Sequence, residues 1–279
     1  MNEKITERRV YHDIMDPARA VAMHNLFSLP CESPKINDVL KSFWYQIYFW
    51  DIHPPSHLGR DGHPKLGEFI PNLGLPRRMW AGGEINFIND IILGVNAKKV
   101  STIDSVEKKI GRSGDLAFVT EKIEIMQKDR LCIREYKKLV YRQEFIKNEE
   151  IINYQTIIKK ADEEKRVSFT TTDLYRYSGL TFNGHRIHYD KDYSKNIEGY
   201  SGLVVHGPLL AQYLIDFAEN SIGPIKDFEF KGVSPLFDFE EAILCRRNTE
   251  KGVELWVKNS ENKLCMTAIA KLEKVRGQE

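Results

Sequence analysis

Three of the eight histidines lie within residues 180–207, and their spacing is suited to proton-transfer chemistry. His185 and His188 are three residues apart, which in a helix would place both rings on one face. Asn183 and Gly184 precede them and favour a loop, so the relative orientation of the two rings stays open. Imidazole, with an unperturbed pKa of about 6.5, can accept and return a proton near neutral pH. This stretch therefore predicts a general base.

The clearest predicted helix is residues 207–221. Gly207 and Pro208 are its first two residues, and His206 directly precedes it. Proline suits the first helical turn because its missing N–H would have no partner there. A helix start presents unpaired backbone N–H groups, and glycine lets a ligand approach them closely. Such a position would stabilise the enolate oxygen formed when a proton leaves the carbon beside a thioester carbonyl. His206 either fixes this turn, which we favour, or contacts the substrate.

The composition is that of a soluble globular protein. Its 279 residues are enough for one large domain or two ordinary ones, with 42% hydrophobic and 29% charged residues. A net charge of +1 gives no overall attraction for nucleic acid or an anionic membrane. No apolar stretch approaches the roughly 18 residues that would span a bilayer. We therefore expect no nucleic-acid partner and no stable membrane insertion.

Neither the cysteines nor the loop histidines have the spacing of a metal site. His53, His57 and His63 lack carboxylate or cysteine partners at regular intervals, so we interpret them as loop histidines. No Cys-x-x-Cys pair occurs, which argues against a disulfide framework and favours a reducing compartment. We expect all four cysteines to be small apolar packing residues. They are Cys31, Cys132, Cys245 and Cys265.

Residues 1–150 predict an N-terminal domain. Asp-Pro begins a helix-forming segment at 16–29. The loop 54–78 is rich in Gly, Pro and His, and loops of this length are usually functional or packed as lids. A strand pattern then follows as far as residue 143. Its clearest segments are 117–125 and 131–141.

Residues 151–279 predict a C-terminal domain. A short helix at 173–180, with Asp173 as its cap, follows a strand at 166–170. The helix 207–221 carries a broad apolar stripe. The strand-like segments after it are 227–230, 253–257 and 264–272. One long helix followed by antiparallel strands that can wrap around it is typical of an α+β fold.

Residues 182–190 read Phe-Asn-Gly-His-Arg-Ile-His-Tyr-Asp, and residues 206–209 read His-Gly-Pro-Leu. In this register they resemble the signature of the MaoC-like, or hydratase 2, hot-dog enzymes, G-D-x-N-P-x-H-x-D followed by H-G-M/P-L. The resemblance implies an α+β double hot-dog fold, in which two antiparallel sheets each wrap around a central helix. It also implies a hydro-lyase that adds or removes water across the 2,3 bond of an acyl thioester.

The same resemblance assigns four positions to the catalytic site. His188 matches the catalytic histidine, and Gly207 matches the glycine whose amide binds the thioester carbonyl. Asn183 stands in the place of the catalytic aspartate and His185 in that of the asparagine. Because Asn183 cannot ionise, two interpretations stay open. In the one we favour, His188 alone takes the C2 proton and passes it to the departing oxygen; in the other, His185 or Asp190 supplies a second proton-transfer group.

Further segments are similar to a narrower branch, the fungal mitochondrial hydroxyacyl-thioester dehydratases type 2 and the bacterial mesaconyl-C4-CoA hydratases. They read Leu-Gly-Arg-Asp-Gly-His-Pro-Lys at 58–65, Leu-Pro-Arg-Arg-Met-Trp-Ala-Gly-Gly at 75–83 and Gly-Arg-Ser-Gly at 111–114. The resemblance therefore extends from about residue 43 to residue 240. This branch implies a dehydratase of (3R)-hydroxyacyl thioesters, on acyl carrier protein or coenzyme A, in mitochondrial type II fatty-acid synthesis.

Three alternatives stay open. One is a hydratase of mesaconyl-CoA-like dicarboxylyl thioesters, and another is a non-catalytic acyl-thioester-binding protein. A hot-dog thioesterase would need an acid on the central helix, where only Asp216 and Glu219 are available. The chemistry requires no cofactor and no metal, and two hot-dog modules in one chain permit a monomer or a homodimer. Mitochondrial location follows only from the resemblance, and a cytoplasmic location is the alternative.

Several other residues are candidates for substrate contact. Arg77, Arg78 and Trp80 either line the channel to the thioester or hold the two domains together, and we lean towards the second. Arg186 either binds a phosphopantetheine phosphate or forms a surface ion pair. The first domain shows no counterpart of the His-x-x-His pair, so we assign residues 16–143 to accommodating the acyl chain.

Overall fold

The computed structural model describes residues 7–111, 114–144, 154–250 and 252–272. The first half of the chain supplies strands β1 (Arg8–Ile14), β2 (Arg77–Phe87), β3 (Asn96–Gly111), β4 (Gly114–Gln127) and β5 (Arg130–Arg142). The second half supplies β6 (Glu163–Ser168), β7 (Ile225–Gly232), β8 (Glu241–Thr249), β9 (Gly252–Asn259) and β10 (Leu264–Leu272). The α-helices of the described residues are α1 (Pro17–Leu26), α2 (Thr171–Thr181), α3 (Lys191–Asn196) and α4 (Gly207–Ile222).

The ten strands form one antiparallel sheet in the order β1-β3-β4-β5-β2-β7-β10-β9-β8-β6. The two halves join where β2 pairs with β7, from Gly82 opposite Lys231 to Asn86 opposite Asp227. All strands on one side of this junction precede residue 143, and all strands on the other side follow residue 162. The predicted domain boundary between 150 and 151 lies outside the described residues and stays a prediction.

Helix α4 packs across the sheet of the second half, in contact with β7, β8, β9 and β10. The predicted apolar stripe faces this sheet, with Leu209, Leu210, Leu214 and Phe217 buried. Burying such a stripe against a sheet is the main source of stability for a helix of this length. The prediction of a central helix is therefore confirmed. Within the described ranges, no helix is both long and apolar enough to cross a membrane.

Residues 43–50 read Phe-Trp-Tyr-Gln-Ile-Tyr-Phe-Trp and form a largely buried segment of the first half. It contains a single 3-10 turn, Trp44–Ile47, preceded by Phe43 in the left-handed region at φ 69°. Trp44, Ile47 and Phe43 are almost fully buried and belong to the same core cluster as α4. This segment therefore ties the first half of the chain to the helix that carries Gly207.

The cap of α2 differs from the prediction. Thr170, not Asp173, is the N-cap, and its hydroxyl accepts from the Asp173 N–H at 3.2 Å. The Asp173 carboxylate accepts in return from the Thr170 N–H at 2.9 Å. The acid at the third helical position completes a capping box, so it supports the helix start without being the cap.

Helix α3 and two of the strands were not predicted from the sequence, and one expectation about the cysteines is wrong. Strands β1 and β8 were not predicted, because β1 mixes charged and apolar residues without a regular alternation and β8 has a short apolar run followed by polar residues. Cys31 is exposed, which contradicts the expectation that all four cysteines pack in apolar surroundings. The other three cysteines are buried, as expected.

Candidate active site

A cavity of about 1070 Å³ is lined by residues of both halves of the chain. The first half contributes residues 62–66 of the long loop together with parts of β2 and β5. The second half contributes the end of α2, the segment after it and the start of α4. The four positions assigned to catalysis from the sequence all line this cavity: Asn183, His185, His188 and Gly207.

Four histidine rings lie in a row beside the cavity. The ring centroids of His63 and His185 are 4.7 Å apart, and those of His185 and His188 are 5.5 Å apart at an interplanar angle of 86°. The ring of His206 stacks on His188 at 3.7 Å and 19°. The row ends in the second half, where His206 Nε2 lies 2.8 Å from the Ser178 hydroxyl.

His188 sits at the end of a 3-10 turn, Arg186–His188, with its Nδ1 2.7 Å from the Val204 carbonyl oxygen. A carbonyl oxygen can only accept, so Nδ1 carries the hydrogen and Nε2 carries the lone pair. Burial lowers the pKa of His188 to about 4, and the hydrogen bond to Val204 only partly opposes this. His188 is therefore a neutral imidazole at pH 7, with Nε2 available to accept a proton.

The other three rings are held neutral by the same cause. Burial lowers the pKa of His63, His185 and His206 well below the ordinary range. The positive charge of Arg78 lowers the pKa of His63 and of His185 further. Each neutral ring offers one hydrogen-bond donor and one acceptor.

Gly207 is the first residue of α4, and His206 at its N-cap makes no side-chain hydrogen bond to the helix start. The N–H of a first helical residue has no intrahelical acceptor. Apart from its chain neighbours and its own helix backbone, a Cβ added at Gly207 would meet no atom nearer than the Trp80 carbonyl oxygen at 3.8 Å. The space in front of Gly207 is thus available to a ligand, and its amide is suited to hold an oxyanion.

Asn183 follows α2 directly after Phe182, which adopts the left-handed conformation of a helix C-terminus at φ 51°. The Asn183 backbone N–H donates to the Ser178 carbonyl at 2.8 Å. Its side-chain Oδ1 accepts from the His185 N–H at 3.1 Å. The side chain therefore holds the loop in shape, and its Nδ2 is a donor that cannot take a proton from water.

Asp190 stabilises the local fold through its hydrogen bonds. Its carboxylate accepts from the Arg186 guanidinium at 2.7 Å and from the Tyr193 N–H at the start of α3 at 2.9 Å. Neither Asp190 nor Arg186 is among the residues that line the cavity. Of the two groups considered as second proton-transfer groups, only His185 lies at the cavity.

Arg77 forms a buried ion pair with Glu198, with Nε and Oε2 2.8 Å apart and the side chains 3% and 5% exposed. Arg77 Nη2 also donates to the Glu198 carbonyl at 3.1 Å, and the Tyr193 hydroxyl donates to the second carboxylate oxygen. Because Arg77 belongs to β2 and Glu198 to the second half, the pair connects the two halves. This is the role that the sequence interpretation favoured.

Arg78 and Trp80 also line the cavity. The Trp80 indole donates to the Gly82 carbonyl at 2.8 Å, which fixes the ring, and the Lys137 ammonium lies 4.4 Å from its centroid. His206 is fully buried behind His188 and is not a lining residue. The geometry therefore gives His206 a supporting position and leaves Arg78 and Trp80 as residues that can reach a ligand.

Sequence reasoning missed His63, which was interpreted as an ordinary loop histidine. The structure places it at the cavity beside His185, because the loop that carries it packs against the loop that begins at Asn183. Two signals were present in the sequence. The loop 54–78 is too long for a simple connection, and its Arg-Asp-Gly-His run is one of the segments that carry the family resemblance.

Asp61, His63 and His185 place three possible metal ligands within 4.8 Å of one another. A carboxylate and two imidazoles at this spacing could hold a divalent cation. The positive charge of Arg78 acts on all three groups and disfavours a cation there. The Asp61 carboxylate also accepts from the His63 N–H at 3.1 Å, which fixes it within its own turn.

The sheet of the first half presents charged side chains to the cavity. Lys99 of β3, Glu121 of β4, and Glu135 and Lys137 of β5 all line it. Glu135 is fully buried, and burial raises its pKa to about 7. Its Oε2 accepts from the Tyr45 hydroxyl at 2.8 Å. We call this group, Lys99, Glu121, Glu135 and Lys137, the charged wall.

The family model for hydroxyacyl-thioester dehydratase type 2 matches residues 44–238. The chain is 36% identical over 260 residues to a mesaconyl-C(4)-CoA hydratase of Chloroflexus aurantiacus, covering 91% of each chain. It is 27% identical over 249 residues to a mitochondrial hydroxyacyl-thioester dehydratase type 2 of Schizosaccharomyces pombe, covering 78% of this chain and 80% of the relative.

Solved structures share the fold at low sequence identity. HtdX of Mycobacterium tuberculosis superimposes with a TM-score of 0.69 at 14% identity, covering 96% of this chain and all of that one. A second protein of that organism, described as having a double hot-dog fold, covers 96% of each chain with a TM-score of 0.58 at 9% identity. These likenesses confirm the predicted double hot-dog fold.

Proposed function

This chain belongs to the hydroxyacyl-thioester dehydratase type 2 family of hydro-lyases, and from that premise we propose that it hydrates a 2-enoyl-CoA whose short acyl group carries a carboxylate. The charged wall is the observation that carries the proposal. A long alkyl chain packed against it would exclude water from these charged groups, which is unfavourable. The cations of the wall can instead pair with a substrate carboxylate. The relative named mesaconyl-C(4)-CoA hydratase supports this proposal.

His188 is the proposed base, and it accounts for both proton positions. In the dehydration direction, Nε2 takes the proton from C2 and the C–H electron pair forms the C2=C3 double bond. The C3–O bond breaks with its electrons on oxygen, and this oxygen takes the proton from His188 and leaves as water. The ring begins and ends neutral, which agrees with the lowered pKa of His188.

Gly207 is the proposed donor to the thioester oxygen. As the C2 proton leaves, negative charge develops on that oxygen, and the Gly207 N–H at the start of α4 can stabilise it. His206 connects the proposed base with the proposed donor, because its ring stacks on His188 and it directly precedes Gly207 in the chain. One short segment thereby sets the position of the amide relative to that of the base.

Dehydration of fatty (3R)-hydroxyacyl thioesters is the second candidate. The fungal relatives are named mitochondrial hydroxyacyl-thioester dehydratases, which supports this activity and a mitochondrial location. The bacterial relative has the higher identity and is named for a CoA substrate, which supports coenzyme A as the thioester carrier. A role in mitochondrial fatty-acid synthesis and an acyl-carrier-protein substrate stay predictions.

The thioesterase alternative has little support in the geometry. Asp216 and Glu219 on α4 are not lining residues of the cavity. The Asp216 carboxylate accepts from Gln212 at 3.0 Å, and the Glu219 carboxylate accepts from the Ser42 hydroxyl at 2.6 Å. The Asp216 contact lies within α4, whereas the Glu219 contact joins α4 to Ser42 of the first half.

The proposal is tested by following the absorbance of the conjugated thioester with mesaconyl-CoA, crotonyl-CoA and a medium-chain trans-2-enoyl-CoA. We expect the highest kcat/KM with mesaconyl-CoA. Replacing Lys137 with methionine should lower kcat/KM for mesaconyl-CoA by about 10- to 100-fold, the worth of one hydrogen bond to a charged group. It should leave crotonyl-CoA turnover nearly unchanged.

Lys138→Met is the matched control, since Lys138 is the next residue, pairs with Glu84 at the surface and is not a lining residue. Highest kcat/KM with the medium-chain substrate would favour the fatty-acyl dehydratase. Binding of all three thioesters without turnover would favour an acyl-thioester-binding protein.

A further inference from the structure

The loop that carries His63 is locked to the loop that carries His185 by two glycines. Gly62 has φ +87°, and a Cβ there would lie 2.0 Å from the carbonyl oxygen of Gly184. A Cβ on Gly184 would in turn lie 2.7 Å from the Gly62 carbonyl oxygen. Only two residues without side chains allow the backbones to approach so closely. The close approach places the ring of His63 beside that of His185.

Hydrogen bonds hold His63 in this position from both sides. Within its own turn, the His63 N–H donates to Asp61 Oδ1 at 3.1 Å, and the His63 carbonyl accepts from the Gly59 N–H at 2.7 Å. Across the two halves, the Arg186 N–H donates to the Asp61 carbonyl at 2.9 Å. Arg186 Nη1 also donates to the Arg60 carbonyl at 3.1 Å. The loop around His63 is therefore held by hydrogen bonds within its own turn and to the second half of the chain.

The reaction leaves one requirement unassigned, namely an acceptor for the oxygen at C3. His188 exchanges the proton and Gly207 holds the thioester oxygen. Asn183 already uses one lone pair of its Oδ1 for the His185 N–H, and its Nδ2 is a donor. A water molecule or hydroxyl must be oriented through both its hydrogen and its lone pairs, and neutral imidazoles provide both kinds of partner.

We propose that His63 and His185 together bind the oxygen at C3, as the hydroxyl of a hydroxyacyl thioester or as the water that adds to the enoyl thioester. The proposal rests on the proposed hydration reaction and adds to it a residue from the first half of the chain. Both rings stay neutral throughout and position the oxygen, while His188 alone carries the proton. The first half is then part of the chemical site as well as the acyl-binding site.

The test measures hydroxyl recognition without turnover. Isothermal titration calorimetry compares the amide analogues of (3R)-3-hydroxybutyryl-CoA and butyryl-CoA, in which nitrogen replaces the thioester sulfur and C2 is too weakly acidic to react. We expect wild-type protein to prefer the hydroxyl analogue by about tenfold, the worth of about one net hydrogen bond. In His63→Leu the two analogues should bind equally.

The butyryl analogue is the internal control, because unchanged affinity for it shows that His63→Leu is folded. His57→Leu is the matched control, since His57 lies in the same loop, is exposed and is not a lining residue. It should keep the wild-type preference. Gly62→Ala is a second variant, which displaces His63 without removing its ring and should also lose the preference.

The outcomes separate this proposal from the proposed function. An equal hydroxyl preference in wild type and His63→Leu overturns the role of His63, even where enoyl-CoA hydration is observed. A preference that depends on His63, in a protein that hydrates none of the three enoyl-CoA substrates, supports the hydroxyl site and overturns the hydratase. Absence of any preference in the wild type overturns the hydroxyl site.

Discussion

The imidazole of His188 lies stacked on that of His206, with the ring centroids 3.7 Å apart and the planes inclined by 19°. His206 is the N-cap of α4, and the next residue is Gly207. The proposed base and the proposed oxyanion donor are therefore connected through one ring contact and one peptide bond. Because α4 is the largely buried central helix of the second half, this contact holds both groups at the start of a well-packed element.

Replacement of His188 by glutamine should abolish most of the activity while leaving the fold intact. Glutamine can keep a donor towards the Val204 carbonyl, but it has no lone pair of sufficient basicity to take the C2 proton. We expect kcat to fall by about 10²- to 10⁴-fold, the usual contribution of a general base. Steady-state hydration of the best enoyl-CoA substrate measures the loss. Retention of more than half of wild-type kcat would show that another group is the base.

The pH dependence of activity should reflect the low pKa of His188. Below about pH 4 the ring becomes protonated and can no longer accept a proton, whereas from pH 5 to 7 it stays neutral. We therefore expect kcat/KM to be flat between pH 5 and 7 and to decline only as the pH approaches 4. A pH–rate profile with stability controls at each pH measures this. An acid limb centred near the ordinary histidine pKa of about 6.5 would contradict the buried, neutral site.

The same shift predicts how stability depends on pH. The unfolded chain has an ordinary histidine pKa of about 6.5 and binds protons before the native state does, so acidification favours unfolding. The contribution of His188, about 3 kcal/mol, should be complete above pH 6.5 and be lost as the pH falls from 6.5 towards 4. Glu135 and Asp216, whose pKa values burial raises to about 7, contribute in the opposite sense, so the difference between wild type and His188→Gln isolates the effect of His188. Urea unfolding between pH 4 and 8 measures the slope. His188→Gln should show a shallower slope, and an identical slope would contradict the assignment.

Replacement of Gly207 by proline removes the amide N–H and puts the ring Cδ in its place. Proline is favoured at the first position of a helix, and the preceding His206 has φ −59° and ψ 128°, which is compatible with a following proline. The open space at Gly207 accepts a Cβ. We expect kcat to fall by about 10²- to 10³-fold, the usual cost of losing one oxyanion donor. Gly207→Ala keeps the N–H and should lose less, and equal losses in the two variants would show that the space, not the amide, matters.

The sequence predicted the residues that lie close together along the chain. His188 and Gly207 could be found because they belong to short motifs beside the strongest helix, and the pattern of α4 was clear from its apolar spacing. His63 could not be found in this way. Its place beside His185 depends on the pairing of β2 with β7 and on the contact between two distant loops.

The charged wall was missed for a related reason. The β-rich composition of 131–141 predicted β5, but composition does not show which face of a strand meets a cavity. Glu135 and Lys137 lie on one face of β5 and both line the cavity, and the pairing of β5 within the whole sheet decides which face does so. The expectation that residues 16–143 accommodate an acyl chain therefore stays a prediction. The new finding is that charged side chains lie among the apolar residues with which this half lines the cavity.

Removing one partner of the buried Arg77–Glu198 pair should cost more unfolding free energy than removing one partner of any exposed ion pair among the described residues. Replacing either partner alone, as in Arg77→Met or Glu198→Gln, leaves one buried group without its partner and should cost about 3–5 kcal/mol of unfolding free energy. The double variant, Arg77→Met with Glu198→Gln, leaves no buried charge and should recover part of this loss. Glu84→Gln removes the exposed pair with Lys138 and, as the control, should change stability by less than about 1 kcal/mol. Equilibrium urea unfolding of the four variants measures these differences. If the single changes at the buried pair cost no more than Glu84→Gln, then Arg77 does not hold the two halves together, and its guanidinium becomes a candidate for the substrate carboxylate.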